Sequence, residues 1–371
     1  MAAPVVIAAG GTGGHLFPAA ALAAELVARG RLVHLLTDSR ADAFADGMRD
    51  VAIHRVRAGS FAGGPLRAAH GLAELAAGTV QARRLLRRLA PHAVVGFGGY
   101  PSVPTMLAAS SLGLPTLLHE QNAVLGRANR MLAPRAWRIA TGFPETALLR
   151  PAERSRAVHC GNPVRPAVLA LGEPGYRPPV AGGSVELVVI GGSQGARILS
   201  EIVPPALAVL PPEWRAGLRV SHQARPEDLA DVTGAYALAG IAAEIASFFA
   251  DVPQRLARAQ LVICRAGAST IAELAALGRP ALLIPYPYAT DDHQTANARA
   301  FAKAGGGWMV AQAGLRPESL AARLASLFAD GLALAAAAER ARAFGRRDAA
   351  RSLALLTLAL DPGVTGTGRA A

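Results

Sequence analysis

At 371 residues, 52% hydrophobic and 17% charged, the chain is too apolar to be disordered and too long for one ordinary core, so two domains are expected. The formal net charge of +12 implies an anionic partner, with nucleic acid and an anionic membrane surface both candidates. Its 2 cysteines, Cys160 and Cys264, stand in no C-x-x-C pattern, which argues against a disulfide framework or a zinc site and suits small buried residues in a reducing compartment.

The first predicted strand, Pro4–Ala9, runs into Gly10-Gly11-Thr12-Gly13-Gly14-His15 with no basic secretory leader before it. A helix follows, with Pro18 near its start, Ala19–Ala28 as its body and Gly30 at its end. Strands are predicted next near Leu32–Leu36 and Ile53–Val56. A helix then carries Leu72, Leu75, Val80, Leu85, Leu86 and Leu89 together with Arg83, Arg84, Arg87 and Arg88. Such a helix can lie on an anionic bilayer, or it can be a solvated basic face over a buried stripe. Aromatic residues are only 5% and none interleaves with these arginines, which argues against single-strand nucleic-acid binding.

The uncharged stretch Ala93–Leu118 is long enough to span a bilayer, but its glycines and prolines, among them Gly98, Gly99 and Pro101, divide it into strand, loop, helix and strand. His119-Glu120-Gln121-Asn122 follows the strand near Thr116–Leu118, and further strands are expected near Trp137–Thr141 and Val158–Cys160. Gly161–Pro166 and the Pro- and Gly-rich segment Gly172–Gly183 mark a domain boundary.

The second half repeats the opening device: a strand ending at Val188-Val189-Ile190 runs into Gly191-Gly192-Ser193-Gln194-Gly195-Ala196. Strands are then predicted near Leu218–Ser221, Glu244–Phe248, Leu261–Cys264, Ala281–Ile284 and Trp308–Val310, followed by Ala- and Leu-rich helices from Leu332 to Leu360 and a frayed tail. Strands alternating with helices are the pattern of parallel sheets. A glycine turn between strand and helix lets backbone N–H groups and the helix dipole hold phosphate. Two of them suggest two anionic ligands and a two-substrate enzyme working across a cleft. Neither fits G-x-G-x-x-G, since the sixth position from Gly11 is Leu16 and the third from Gly191 is Ser193, and neither continues as a P-loop. Asp38, after a strand, keeps a nicotinamide-type reading open.

Seven motifs in order, GGTGGHLFPA, GFGGYPS, LHEQNAVLGRANR, GNPVR, GGSQGARILS, CRAGASTIAEL and DDHQTANA, resemble those of the MurG-type transferases of glycosyltransferase family 28, from about Val5 to about Val310. The resemblance implies the α/β GT-B fold, with two Rossmann-like parallel-sheet domains facing across a cleft and a C-terminal helix returning to the first. Residues 1–163 would be the acceptor and membrane-associating domain, 164–340 the UDP-GlcNAc-binding domain and 341–371 the returning helix with its tail. The implied reaction is inverting transfer of GlcNAc from UDP-GlcNAc to the 4-hydroxyl of MurNAc in lipid I, giving lipid II, with no cofactor and no metal. The implied location is peripheral, on the cytoplasmic face of the inner membrane, without a transmembrane segment and without a nucleic-acid partner. No Asp-x-Asp motif occurs, as a metal-independent transferase of this fold allows.

The resemblance also implies roles, position by position. Thr12, Gly13 and Gly14 match the loop beside donor sugar and acceptor, and Gly98, Gly99 and Tyr100 lie on the acceptor side. Asn122 matches a contact to GlcNAc, Arg165 and Ser193 the diphosphate-side contacts, and Phe249 a backbone contact to uracil. Ala268, Ser269, Thr270, Ile271, Ala272 and Glu273 match the nucleoside segment, with Glu273 on the ribose hydroxyls. Gln294 matches the reader of the sugar hydroxyls, although His293 stands where some members have a second glutamine. His15, at a helix start, is the candidate base, or only a hydrogen-bond donor or packing residue. Thr270 and Glu273 also have capping-box spacing, Ser193 suits an N-cap, and Arg165 suits a surface arginine after a linker. Alternatives for the whole chain are a sister GT-B transferase with another acceptor and a UDP-GlcNAc 2-epimerase-like enzyme.

Overall fold

The computed structural model describes residues 2–10, 13–38, 50–59, 64–173, 175–192 and 195–360, without the side chains of 65–69. Contacts divide the chain into two units, Met1–Arg165 with Arg347–Ala371, and Pro166–Arg346.

In the first unit, β1 (Val5–Ala8), β2 (Val33–Thr37), β3 (Val51–Arg55), β4 (Ala93–Gly96), β5 (Thr116–Glu120), β6 (Arg138–Thr141) and β7 (Ala157–His159) form a parallel sheet in the order β3-β2-β1-β4-β5-β6-β7. β1 is apolar throughout because helices cover both faces of the sheet, and none of its residues is more than 1% exposed. Side chains alternate along the strand. Val5 and Ile7 pack with Leu16, Leu22 and Leu26 of the helix Gly13–Ala28, a cluster that Leu353 and Ala354 of the helix Ala349–Leu358 complete. Val6 and Ala8 pack with Leu86 of the helix Pro65–Leu89 and Met106 of the helix Val103–Ser111. His92 Nε2 donates to Leu358 O at 3.1 Å and ties the last helix to this sheet.

In the second unit, β8 (Val185–Ile190), β9 (Leu218–Gln223), β10 (Ala242–Ala246), β11 (Leu261–Cys264), β12 (Ala281–Leu283) and β13 (Gly307–Met309) form a parallel sheet in the order β10-β9-β8-β11-β12-β13. Leu187 and Val189 pack with Leu199, Val203, Trp214 and Phe328, and the last two rings lie 5.7 Å apart. Every predicted strand is present within a few residues of its expected place.

Both sheets reverse their strand order beside the first strand, between β1 and β4 and between β8 and β11. Ligands of open α/β sheets bind at such switch points, outside the carboxyl ends of the strands. The two glycine loops leave β1 and β8 there.

Ala93–Leu118 is β4, a short helical turn at Tyr100–Ser102, the helix Val103–Ser111 and the start of β5. Among the described residues no single helix is long and apolar enough to cross a membrane. One pair, Pro317–Ala329 with Gly331–Leu358, passes on length and composition but is bent by 88°, and its Leu324, Phe328 and Leu334 lie in the second unit's core.

Candidate active site

In the first unit the helix Gly13–Ala28 begins at Gly13 and Gly14, a few residues after β1 ends, and the N–H groups of its first turn have no intrahelical partner. Thr12 and Ser193 lie outside the described residues. The next loop, Gly98-Gly99-Tyr100, leaves β4 and passes beside His15. Gly99 has φ 71°, which favours glycine, and a Cβ there would stand 3.3 Å from His15 Cδ2 and 3.4 Å from Nε2, against that edge of the ring. Tyr100 is 43% exposed.

His15 is half-buried, and its Nδ1 lies 3.1 Å from Gln121 Oε1. The Gln121 amide nitrogen lies 3.0 Å from Phe97 O and 3.1 Å from both O and Nδ1 of His119. His119 Nε2 in turn donates to Gly161 O at 3.1 Å. Burial of His119 pushes its pKa down to about 4, against the Gly161 carbonyl, with a smaller push from His15. Between them, Glu120 Oε1 accepts from Asn122 N at 2.9 Å and Asn122 Nδ2 at 3.2 Å, while Oε2 accepts from Gly126 N at 2.9 Å and Asn129 Nδ2 at 2.8 Å. This clamp fixes Asn122 at the carboxyl end of β5. His119, Glu120 and Gln121 were marked from the sequence only as a polar run after a strand, and no role was given to them. Their signal was three polar residues at the end of an apolar strand, and none is more than 2% exposed. Arg165 falls in the first unit, its guanidinium 5.2 Å from the centre of the Phe17 ring, beside the first glycine loop.

In the second unit β8 leads through Gly191–Ala196 into the helix Arg197–Ala208. Gly195 has φ 69° and lies against Arg225, where a Cβ would come within 2.4 Å of Cγ. Arg225 is itself held by both oxygens of Asp228 at 2.7 Å. The helix Ala268–Leu277 leaves β11 with Gly267 as its N-cap and no side-chain cap. Thr270 is therefore already inside the first turn, and the capping-box reading of Thr270 and Glu273 is not realised. Ala268, Ile271 and Glu273 are buried, while Ser269, Thr270 and Ala272 are half-buried.

Arg265, which the sequence placed in the CRAGASTIAEL motif without a role, donates to Ile284 O at 3.1 Å, Pro285 O at 3.0 Å and Gln312 Oε1 at 2.8 Å, tying together the loops after β11 and β12. Its burial pulls its pKa down. Gln294 Oε1 accepts from Ala266 N at 3.2 Å and Tyr286 N at 2.9 Å, which leaves the amide nitrogen as the end turned away from those donors. His293 Nδ1 donates to Thr290 O at 2.8 Å. Just before them Asp291 and Asp292 have φ of 53° and 50°, strain of the kind that gathers at binding sites. Phe249 is buried with the Arg255 guanidinium 4.1 Å from its ring centre, and Phe248 beside it is 75% exposed. Among the described residues no group of three or more His, Cys, Asp or Glu is arranged to hold a metal ion.

The family model described as the glycosyltransferase family 28 N-terminal domain matches residues 5–141, and that for the C-terminal domain matches 186–353. The chain belongs to glycosyltransferase family 28. Among family-28 relatives it is 56% identical over 352 residues to the UDP-N-acetylglucosamine--N-acetylmuramyl-(pentapeptide) pyrophosphoryl-undecaprenol N-acetylglucosamine transferase of Rhodospirillum centenum, covering 95% of this chain and 93% of that one. It is 53% identical to the transferase of the same name from Paramagnetospirillum magneticum, covering 98% of each. The crystal structure of Acinetobacter baumannii MurG matches with a TM-score of 0.77 at 31% identity, over 95% of this chain and 99% of that one. The two Rossmann-like parallel-sheet units are thus the family-28 fold. The N-terminal match contains His15, Gly98–Tyr100 and Asn122, the C-terminal match contains Phe249, Ala268–Glu273 and Gln294, and Arg165 falls between them.

Proposed function

We propose that the chain is an inverting N-acetylglucosaminyltransferase that moves GlcNAc from UDP-GlcNAc to the 4-hydroxyl of MurNAc in lipid I, forming lipid II. The observation that carries this reading is likeness over 95% of the chain to a transferase named for that donor and that lipid acceptor. The donor is assigned to the second unit. Glu273 takes the ribose hydroxyls, Ala268–Ala272 line the nucleoside, and the Phe249 backbone meets uracil. Gln294 suits the sugar hydroxyls better than His293, because its oxygen is already committed and its NH2 is the outward donor. Asn122 reads the GlcNAc group. The acceptor is assigned to the first unit at Gly98, Gly99 and Tyr100, with Thr12, Gly13 and Gly14 beside the reacting sugars.

His15 Nε2 takes the proton of the 4-hydroxyl. That oxygen forms a bond to the anomeric carbon as the bond from carbon to diphosphate breaks, and both electrons of the broken bond leave with UDP. One displacement converts the α-linked donor into a β-1,4 product. Ser193, Arg165 and the N–H groups at the start of the helix Arg197–Ala208 meet the charge on the leaving diphosphate, in place of a metal. Hydrogen bonds to charged groups contribute roughly 1.5–3 kcal/mol each, and a helix N-terminus roughly 0.3–2 kcal/mol. Such preorganised donors act where charge develops.

The test is transfer of labelled GlcNAc from UDP-GlcNAc to a short-chain lipid I analogue, with and without EDTA. A β-linked disaccharide formed equally in EDTA is expected. Loss of activity in EDTA overturns metal independence, and an α-linked product overturns the single displacement. No transfer despite tight donor binding favours another acceptor, and donor turnover without any acceptor favours an epimerase.

The chain's positive charge is proposed to serve the membrane rather than nucleic acid. On the helix Pro65–Leu89, Arg84, Arg87 and Arg88 are exposed, and the same helix exposes Val80 by 49% and, more than three turns from Arg84, Leu72 by 61%. An adjoining groove of about 750 Å³ is lined by Ile53, His54, Arg55, Val80, Arg84 and Arg88. Arg83 is partly engaged with Ser111. Each basic residue near an anionic bilayer contributes about 1 kcal/mol. Replacing Arg83, Arg84, Arg87 and Arg88 by Gln is expected to weaken sedimentation with anionic vesicles by roughly 10²-fold or more. Unchanged binding would show that this helix is not the surface that docks on the cytoplasmic face of the inner membrane.

A further inference from the structure

We propose that Gln121, itself held by His119, is a positioning residue that fixes His15 as the Nδ1-protonated tautomer, so that the lone pair a base needs stands on Nε2. The inference rests on His15 being the base.

The proton positions follow from which atoms can only accept. Carbonyl oxygens have no hydrogen to give, so the end of the Gln121 amide facing Phe97 O at 3.0 Å and His119 O at 3.1 Å must be its NH2. The other end, Oε1, then faces His15 Nδ1 at 3.1 Å. An amide oxygen also only accepts, so Nδ1 carries the hydrogen. A neutral imidazole protonated there has its lone pair on Nε2.

The same reasoning holds at the far end of the chain. Gly161 O faces His119 Nε2, so that nitrogen carries the hydrogen, and His119 Nδ1 is left as an acceptor for Gln121 Nε2. The NH2 of Gln121 thus shares its two hydrogens among three acceptors, and turning the amide over would set its oxygen against two carbonyls. His119 and Gln121 are 0% and 2% exposed, so water does not replace these partners. A second proton on His119 would oppose its Nδ1–H to the Gln121 NH2, and burial disfavours that proton.

Two consequences bear on catalysis. Taking up a proton at Nε2 leaves the Nδ1–H bond to Gln121 intact, so His15 needs no rearrangement during the step. Moreover, a neutral amide orients the ring without a full negative charge beside it, unlike the aspartate of a Ser-His-Asp triad.

The test uses the full chain with 15N-labelled histidine, and His15→Asn identifies the His15 signals. In the unaltered protein His15 is expected to show a protonated, pyrrole-type Nδ1 and a pyridine-type Nε2. Gln121→Met, similar in length but only a weak acceptor, is expected to shift His15 towards the Nε2-protonated form. It should lower kcat by roughly 10²-fold, the low end of what a positioned base supplies. The KM and Kd for UDP-GlcNAc should stay unchanged, which also reports that the variant is folded. Gln121→Glu, as the buried carboxylic acid, keeps an acceptor oxygen for Nδ1 and has one O–H to give where the NH2 stood, and should recover the Nδ1–H tautomer and part of kcat. An Nε2-protonated His15 in the unaltered protein overturns the proposal, as does Gln121→Met with undiminished kcat. Undiminished kcat in His15→Asn is a separate failure, of the base assignment itself.

Discussion

Replacing His15 by asparagine is expected to lower kcat by roughly 10²–10⁴-fold, the range a general base supplies, with little change in the KM for UDP-GlcNAc. Asparagine is the informative choice because its side-chain NH2 falls near the place of Nδ1. It can therefore keep the bond that Nδ1 makes to Gln121 Oε1 at 3.1 Å, while the Nε2 lone pair is lost. A group that acts on the proton only in the transition state lowers kcat and kcat/KM together. Steady-state rates with a soluble lipid I analogue check this. A raised KM with unchanged kcat would instead make His15 a binding residue.

Acid is expected to remove of order 3 kcal/mol of stability through each of two buried histidines, His119 in the first unit and His222 in the second. His222 Nδ1 meets the Tyr236 hydroxyl at 2.9 Å, and its Nε2 has no hydrogen-bond partner among the described residues. Burial pushes its pKa down to about 4, with the charge of Asp228 partly opposing. In the unfolded chain each histidine takes up a proton near its ordinary pKa of 6.5, whereas in the folded chain it does so only near 4. Between these values the unfolded state binds more protons, so stability is fully present above about pH 6.5, falls as pH drops, and levels below about pH 4. His34 and His54, lowered by burial but more exposed, add a smaller loss of the same sign. Asp228 and Asp251, held low by hydrogen bonds from Arg225 and Arg255, titrate further down and leave this window to the histidines. Denaturant midpoints between pH 7 and about pH 4.5 at constant salt measure the slope. His222→Phe should remove about half of it whatever it does to absolute stability, and an unchanged slope would mean that His222 does not fold as a buried neutral ring.

The sheets were legible in the sequence because a strand covered on both faces must be apolar at every position. Val5–Ala8, Ala93–Gly96, Val185–Ile190 and Leu261–Cys264 are such runs, nearly all apolar and bounded by turn residues. Glycine runs marked the ends of β1, β4 and β8 because backbones must approach closely there. Contacts between distant segments were not legible. Nothing near His15 announces Gln121, 106 positions on, and nothing in HEQN says that Glu120 would bind Asn122, Gly126 and Asn129 at once. The boundary read from the sequence put Arg165 in the segment 164–340, whereas contacts group it with the first unit, where its guanidinium lies over Phe17. The spacing of Thr270 and Glu273 suited a capping box, but Gly267 starts the helix earlier and leaves that pattern unused.

The helix Ala349–Leu358 gives the chain an order of assembly. A ribosome releases β1 to β7 long before Leu353 and Ala354, so the apolar flank of Leu16, Leu22 and Leu26 waits uncovered while the whole second unit is being made. That second unit is one continuous stretch, Pro166–Arg346, and its core is all in hand first. The usual sequence of N-terminal domain before C-terminal domain is thereby reversed for final closure. A chain that stops short of the last helix carries an intact second unit and an unsealed first one, a surface that chaperones and proteases are built to find.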